Sequence, residues 1–155
     1  MKTDIEIIEF SDKYSKYFTA LNIAWLQKYF VVEPIDHEIL SEPKDFIIDR
    51  GGFVFFAKAE DKIVGTFALI KLSETIYELA KMAVDENFQG KKIGQEMLEF
   101  CIEQARRLGA DKIILFSNRK LEPAIHLYKK FGFKEVDLGS PEYKRANIKM
   151  EVNIK

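Results

Sequence analysis

A single cysteine in 155 residues leaves no partner for an internal disulfide, so the fold must come from burial of apolar surface rather than from covalent staples. Cys101 falls on an apolar helical stripe and reads as a buried structural thiol rather than a reactive one. Histidine is almost as scarce. His37 and His126 stand far apart without metal-ligand spacing around either, and His37-Glu38-Ile39-Leu40 lacks a zinc-protease pattern, so no metal site is expected. No run approaches the roughly 18 consecutive apolar residues of a membrane span, and Met1-Lys2-Thr3-Asp4 has no signal-peptide pattern. The expectation is a soluble, cytoplasmic protein with no membrane partner. An excess of one charge is also missing: 24 basic and 25 acidic residues are interleaved, and the net charge of −1 offers nucleic acid no basic face. Apolar surface, by contrast, is plentiful. At 47% hydrophobic residues the chain can fill one core, and its length is that of a single domain, residues 1–155, with no repeat, low-complexity tract or linker.

Periodicity orders the elements. Ile5 to Phe10 reads as a strand, and Ser11 with Asp12 offers caps for a helix running to about Phe30. That helix is dense in aromatics at three- and four-residue spacings, from Tyr14 through Trp25 to Phe30, which fits either core packing or the wall of a substrate pocket. Pro34 and Pro43 split a second helical region into Ile35 to Leu40 and Lys44 to Asp49, ended by Gly51-Gly52. Phe53 to Ala57 and Ile63 to Ile70 flank Glu60-Asp61-Lys62 as a hairpin, and Thr75 to Val84 forms the next strand. Ile93, Met97, Leu98, Cys101, Ile102, Ala105 and Leu108 trace one helical face, which Gly109 terminates as a left-handed cap. A buried strand at Lys112 to Phe116, a helix from Leu121 to Phe131 with Pro123 in its first turn, and strands at Phe133 to Val136 and Asn147 to Ile154 complete the chain. This is a mixed α/β domain around one sheet.

Between the strand Thr75 to Val84 and the helix of the Ile93 to Leu108 stripe lies a doubly basic, glycine-punctuated turn, Gln89-Gly90-Lys91-Lys92-Ile93-Gly94, aimed at that helix's start. Backbone N–H groups without intrahelical partners and the positive end of the macrodipole make that position an anion site. Two phosphate motifs fail on spacing. A P-loop needs four residues between its glycines followed by Lys-Ser/Thr, whereas three separate Gly90 from Gly94 and Gln95 follows; the Gly-x-Gly-x-x-Gly of dinucleotide folds is absent. The segment instead resembles the pyrophosphate loop of the GNAT acyltransferases, Gln/Arg-x-x-Gly-x-Gly/Ala, through Gln89, Gly90, Lys91, Ile93 and Gly94. Lys92 departs from it, standing where the family most often has a third glycine. If that side chain obstructs, Lys92→Gly tightens coenzyme A binding.

A second segment carries the same resemblance: Asn118, then Ala124-Ile125-His126-Leu127-Tyr128-Lys129-Lys130-Phe131-Gly132-Phe133, similar to the family's Asn…Ala-x-x-Leu-Tyr-x-Lys-x-Gly-Phe, with a longer insertion after Asn118. The resemblance implies a single mixed, mostly antiparallel sheet flanked by helices, in the order β-α-α-β-β-β-α-β-α-β-β, and an acetyl-CoA-dependent N-acetyltransferase. Its acceptor would be a primary amine, on a small molecule or on a peptide or protein. It further implies that Gln89 to Gln95 cradle the pyrophosphate, with Lys91 and Lys92 adding charge or remaining solvated surface. Met82, Ala83 and Val84 would present backbone groups to the pantetheine arm and thioester carbonyl, and Asn118 would contact the cofactor or serve as an ordinary turn residue. The first fifty residues, which shape the acceptor site in this family, match least.

Direct attack by an amine sets two proton requirements. The departing thiolate needs a proton, and Tyr128, a phenol protonated at neutral pH and placed on an inward-facing stripe, is the candidate general acid. The ammonium must first lose one, and Glu78, between Tyr77 and Leu79, is the candidate base, an edge-exposed solvated carboxylate being the other reading. Glu33, Asp36 and His37 fall where acceptor contacts are expected or cap a helix or loop. A catalytically silent acyl-CoA-binding module or sensor remains the alternative, and a homodimer is left open.

Overall fold

The computed structural model describes residues 4–154. Seven strands form one sheet: β1 (Glu6–Glu9), β2 (Phe53–Ala59), β3 (Lys62–Lys71), β4 (Ile76–Val84), β5 (Lys112–Ser117), β6 (Lys134–Val136) and β7 (Ile148–Asn153). Their order across the sheet is β1-β2-β3-β4-β5-β7-β6, and every neighbouring pair is antiparallel except β4 and β5. Helices α1 (Ser15–Tyr29), α2 (Pro34–Ser41) and α3 (Pro43–Phe46) follow β1, α4 (Ile93–Arg107) joins β4 to β5, and α5 (Glu122–Lys130) follows β5.

Helices cover both faces of the sheet, which is why β2 and β3 read as nearly continuous apolar runs. Alternate residues of β2 divide between two cores: Val54 and Phe56 pack with Phe18 and Leu26 of α1, while Phe55 and Ala57 pack with Met97, Leu98 and Cys101 of α4. Side chains of α5, Ile125, Leu127 and Tyr128 among them, lean on the second core. No helix among the described residues is long and apolar enough to cross a membrane.

Two helix starts differ from expectation. The side chains of Ser11 and Asp12 do not cap a helix; the chain first makes a 3-10 turn over Asp12–Tyr14, closed by the Tyr14 N–H donating to the Ser11 carbonyl (2.8 Å), and α1 begins only at Ser15. Pro34 opens α2 instead of interrupting it, because a helix's first position lacks an N–H partner anyway. Glu33 is the cap: its backbone N–H donates to the Asp36 carboxylate (2.9 Å), and the Asp36 N–H donates to the Glu33 main-chain carbonyl (2.9 Å).

The sheet's irregularity next to the parting of β4 and β5 is in β4. Thr66 faces Ala83 and Ala68 faces Ala80, so β4 carries one residue more than β3 over that stretch, and Lys81 sits in the left-handed region at φ 57°. A bulge bends its strand. β4 and β5 pair only from Ile76 to Glu78, then part, so the β5-facing edge of β4 beyond Glu78 and the β4-facing edge of Leu115 to Ser117 have no ladder partner among the described residues.

Candidate active site

A cleft of about 960 Å³ opens where β4 and β5 separate, bordered by α1, both strands, the turn before α4, the first turns of α5, and the segment around Tyr143 to Ala146. All of the sequence-predicted catalytic and cofactor residues border it except Lys91, whose ammonium lies over the Phe88 ring, 5.3 Å from its centroid.

At one end lies the glycine turn. Among the described residues, none of the six main-chain N–H groups from Gly90 to Gln95 donates a hydrogen bond within the protein. Ile93, buried, pins the turn to the core, while Gly90 (φ 81°) and Lys92 (φ 63°, ψ 21°) adopt left-handed backbone. Lys92 therefore keeps the conformation that favours glycine there, its side chain exposed, and costs strain rather than room. Room is the business of Gly94. Its φ is ordinary, a Cβ on it would meet nothing within 4 Å, and glycine in a helix is otherwise unfavourable, so the protein's own packing gives no reason for it. An unfilled space beside six undonated N–H groups at a helix start fits a diphosphate closely approaching the main chain.

The parted strand edges form the middle of the cleft. Their unpaired main-chain N–H and C=O groups suit a ligand with amides of its own, while the Met82 and Val84 side chains pack against the core. Tyr128 borders this stretch, its ring 5.8 Å from that of Phe133, and its hydroxyl makes no hydrogen bond among the described residues. Burial, with a smaller contribution from Cys101, pushes this phenol up to about 12. Asn118 is less free: its amide nitrogen donates to the Arg145 carbonyl (2.8 Å) and its Oδ1 accepts from the Lys120 N–H (2.9 Å), so it ties the end of β5 to the segment before β7.

At the other end stands Glu78, without hydrogen bond or ion pair among the described residues. Burial pushes its carboxyl up to about 7; Lys81 and Lys149 pull the other way and Glu142 adds to the rise. Behind it is a sealed ionic cluster. Arg145 donates to both carboxylate oxygens of Asp36 (2.8 and 2.9 Å) and to Glu33 (3.1 Å), and Glu33 also accepts the Lys144 N–H (2.9 Å). Lys81 pairs with Asp36 at 3.0 Å and lies over the Tyr143 ring, as Arg145 does. Glu33 and Asp36 are thus spoken for within the protein, and His37 is exposed. Arg145 and Tyr143 carried no local sequence signal. Lys81 did, as a lone cation inside an apolar strand.

The geometry agrees with sequence comparison. The acetyltransferase (GNAT) family model matches residues 15–133, and the chain belongs to that family and to its N-acetyltransferase class. It is 31% identical over 105 residues to "Uncharacterized N-acetyltransferase YvbK" of Bacillus subtilis, covering 66% of this chain and 68% of that one. Among solved structures, an acetyltransferase of the GNAT family from Staphylococcus aureus superposes with a TM-score of 0.88 at 26% identity, covering 98% of this chain and all of that one. The PaiA N-acetyltransferase of Thermoplasma acidophilum, solved in complex with coenzyme A, shares the fold at a TM-score of 0.77 and 20% identity, over 97% of this chain and 99% of that one.

Proposed function

We propose that the protein transfers an acetyl group from acetyl-CoA to a primary amine by direct attack, with Glu78 as base and Tyr128 as acid. The observation that carries the reading is one continuous cleft with six undonated N–H groups at one end and, at the other, an uncommitted carboxylate that burial raises to about 7. Gln89 to Gln95 hold the diphosphate through main-chain N–H groups, with Lys92 bordering it, and the open β4 edge over Met82 to Val84 binds the pantetheine amides and the thioester oxygen. Bound there, acetyl-CoA supplies an activated carbonyl carbon.

Glu78 takes one proton from the incoming ammonium, freeing the lone pair; as the N–C bond forms and the C–S bond breaks, the nitrogen sheds a second proton. Tyr128 donates its hydroxyl to the departing sulfur. A phenol held at about 12 is a weaker acid than a thiol of roughly 8.5, so it first stabilises the building charge by hydrogen bonding, and the sulfur's proton, passed through it, is replaced from solvent. Per turnover the ammonium loses two protons, of which one ends on sulfur and one in water.

Mixing the protein with acetyl-CoA and a panel of primary amines, and following free thiol, tests this. Amine-dependent thiol release with a mass gain of one acetyl group on the amine is expected; coenzyme A binding without turnover across the panel would point to a binding module instead.

A further inference from the structure

At the Glu78 end of the cleft the bordering cations Lys81 and Arg145 are both committed to carboxylates of the protein. Arg145 is held by Asp36 and Glu33 and Lys81 by Asp36; farther along the cleft the exposed Lys28 pairs with Glu86 at 3.2 Å, close to the glycine turn, and the exposed Lys120 donates to the Tyr29 carbonyl and covers the Phe30 ring at 4.1 Å. Arg145 cannot turn to a ligand without leaving Asp36 or Glu33, both buried, short of their partner, and an uncompensated buried charge is costly. Glu78 is the uncommitted charge that borders the cleft here. Glu78 makes no ion pair, and Glu142 lies within electrostatic reach of it. The remaining groups facing Glu78 are Lys81, Tyr143 and Lys149; the last stands on β7 outside the cleft lining, 5.7 Å from the Phe116 ring centroid. Helix α1 and the residue after it give the cleft an aromatic wall: the Trp25 ring meets those of Tyr29 and Phe30 at 5.5 and 5.6 Å.

From these commitments we infer that the acceptor is a primary amine on an alkyl or arylalkyl body that carries no carboxylate or phosphate of its own. The inference rests on the transferase reading and narrows it. The ammonium meets Glu78, the body lies against Trp25 and Tyr29, where rings favour both apolar groups and cations, and an acid group on the same molecule meets the Glu78 carboxylate while Lys81 and Arg145 are already paired within the protein.

Matched pairs that differ by one carboxylate test it: phenethylamine against phenylalanine, tyramine against tyrosine, and cadaverine against lysine, each with acetyl-CoA. The amine of each pair is expected to have a kcat/KM at least tenfold higher than its amino acid. Equal values within threefold, or preference for the amino acids, overturn the substrate class while leaving the transferase reading intact. No thiol release with any amine while coenzyme A binds overturns the transferase reading and the class with it. Trp25→Leu separates the wall from the charge: KM for phenethylamine is expected to rise about tenfold with coenzyme A affinity unchanged, and an unchanged KM removes the aromatic wall from the argument.

Discussion

The ammonium of Lys81 lies 3.0 Å from Asp36 Oδ1 with both side chains sealed from solvent, 4% and 0% exposed, although 45 positions separate them in sequence. The pair joins the bulge of β4 to the first turn of α2 and sets a positive charge beside Glu78. Burial pushes Glu78 up and Lys81 opposes it, so the base sits at about 7 as a balance of the two. Lys81→Met removes the opposing charge. The acid limb of the kcat/KM profile is then expected to move to higher pH, by up to about one unit, since an opposite charge this close lowers a carboxyl by that order. A limb that stays put or moves down counts against Glu78 as the base that Lys81 tunes.

Asp36 itself ties stability to pH. Burial works against its charge, but Arg145, the Glu33 N–H and Lys81 outweigh it and hold the carboxyl at about 2, below its ordinary 3.8. A folded value below the unfolded one stabilises at pH above about 4 and is lost as pH falls toward 2; the contribution is about 2 kcal/mol. Asp36→Asn, which also strands Arg145 and Lys81, is expected to cost roughly 3–5 kcal/mol at pH 7. Thermal unfolding of both proteins from pH 7 to 2 checks this: the gap in Tm should narrow below pH 4, and a gap independent of pH would show that the pair is not ionised in the fold.

Glu78 has the opposite sign. Its folded value, about 7, exceeds the ordinary 4.5, so the folded state is favoured at low pH and loses stability as pH rises through that window. The cost above pH 7 is roughly 3 kcal/mol, from a shift of that size. Glu78→Gln is therefore expected to raise Tm at pH 8 while abolishing most turnover, a stability gained at the expense of chemistry. Lower stability of the variant at pH 8 would mean that the carboxylate is paired there.

Tyr128→Phe isolates the hydroxyl. The ring packs on Phe133 and the hydroxyl makes no hydrogen bond among the described residues, so stability should hold within about 1 kcal/mol. kcat is expected to fall about 10²-fold, the size of a lost proton donor, with coenzyme A affinity unchanged. Calorimetry and steady-state rates together check it; an unaffected kcat would leave Tyr128 a packing residue.

How much of this was legible before the fold was known follows from the range of the interactions. Helix α4 declared itself because its buried residues recur at helical spacing, and the glycine turn because backbone conformation is written locally in residue type. The element order and the single sheet followed from the same periodicities. The bulge at Lys81 was not legible, since strand pairing, and not propensity, sets where β4 gains a residue. Nor was the cluster of Glu33, Asp36, Lys81 and Arg145: Arg145 sits 109 positions from Asp36, and nothing near it in sequence distinguishes it from a solvated arginine. The acceptor end of the site is built mostly from such distant pairs. The cofactor end is built from one contiguous turn.

That turn permits a test in which stability and affinity move in opposite directions. Gly94 occupies the first turn of α4 with ordinary backbone and open space where a Cβ would stand, so Gly94→Ala restores helix propensity without a clash. It should stabilise the protein without ligand by on the order of 0.5 kcal/mol, a rise in Tm of a degree or two. The same methyl enters the space that the diphosphate would fill, so coenzyme A affinity should drop at least tenfold. Lys92→Gly works through different physics. Relief of the left-handed backbone, about 1–2 kcal/mol, is largely offset by the greater freedom of unfolded glycine, so Tm should barely move, while loss of a cation bordering the cleft weakens binding several-fold in a salt-dependent way. Lys91→Ala, its ammonium placed over Phe88 outside the lining, should leave affinity within about twofold, as expected of exposed charges that make no direct contact. Calorimetric titration of coenzyme A into the three variants at low and high salt separates these outcomes. Tighter binding by Lys92→Gly would restore obstruction by the side chain as the right account, and unchanged binding by Gly94→Ala would remove the diphosphate from this turn.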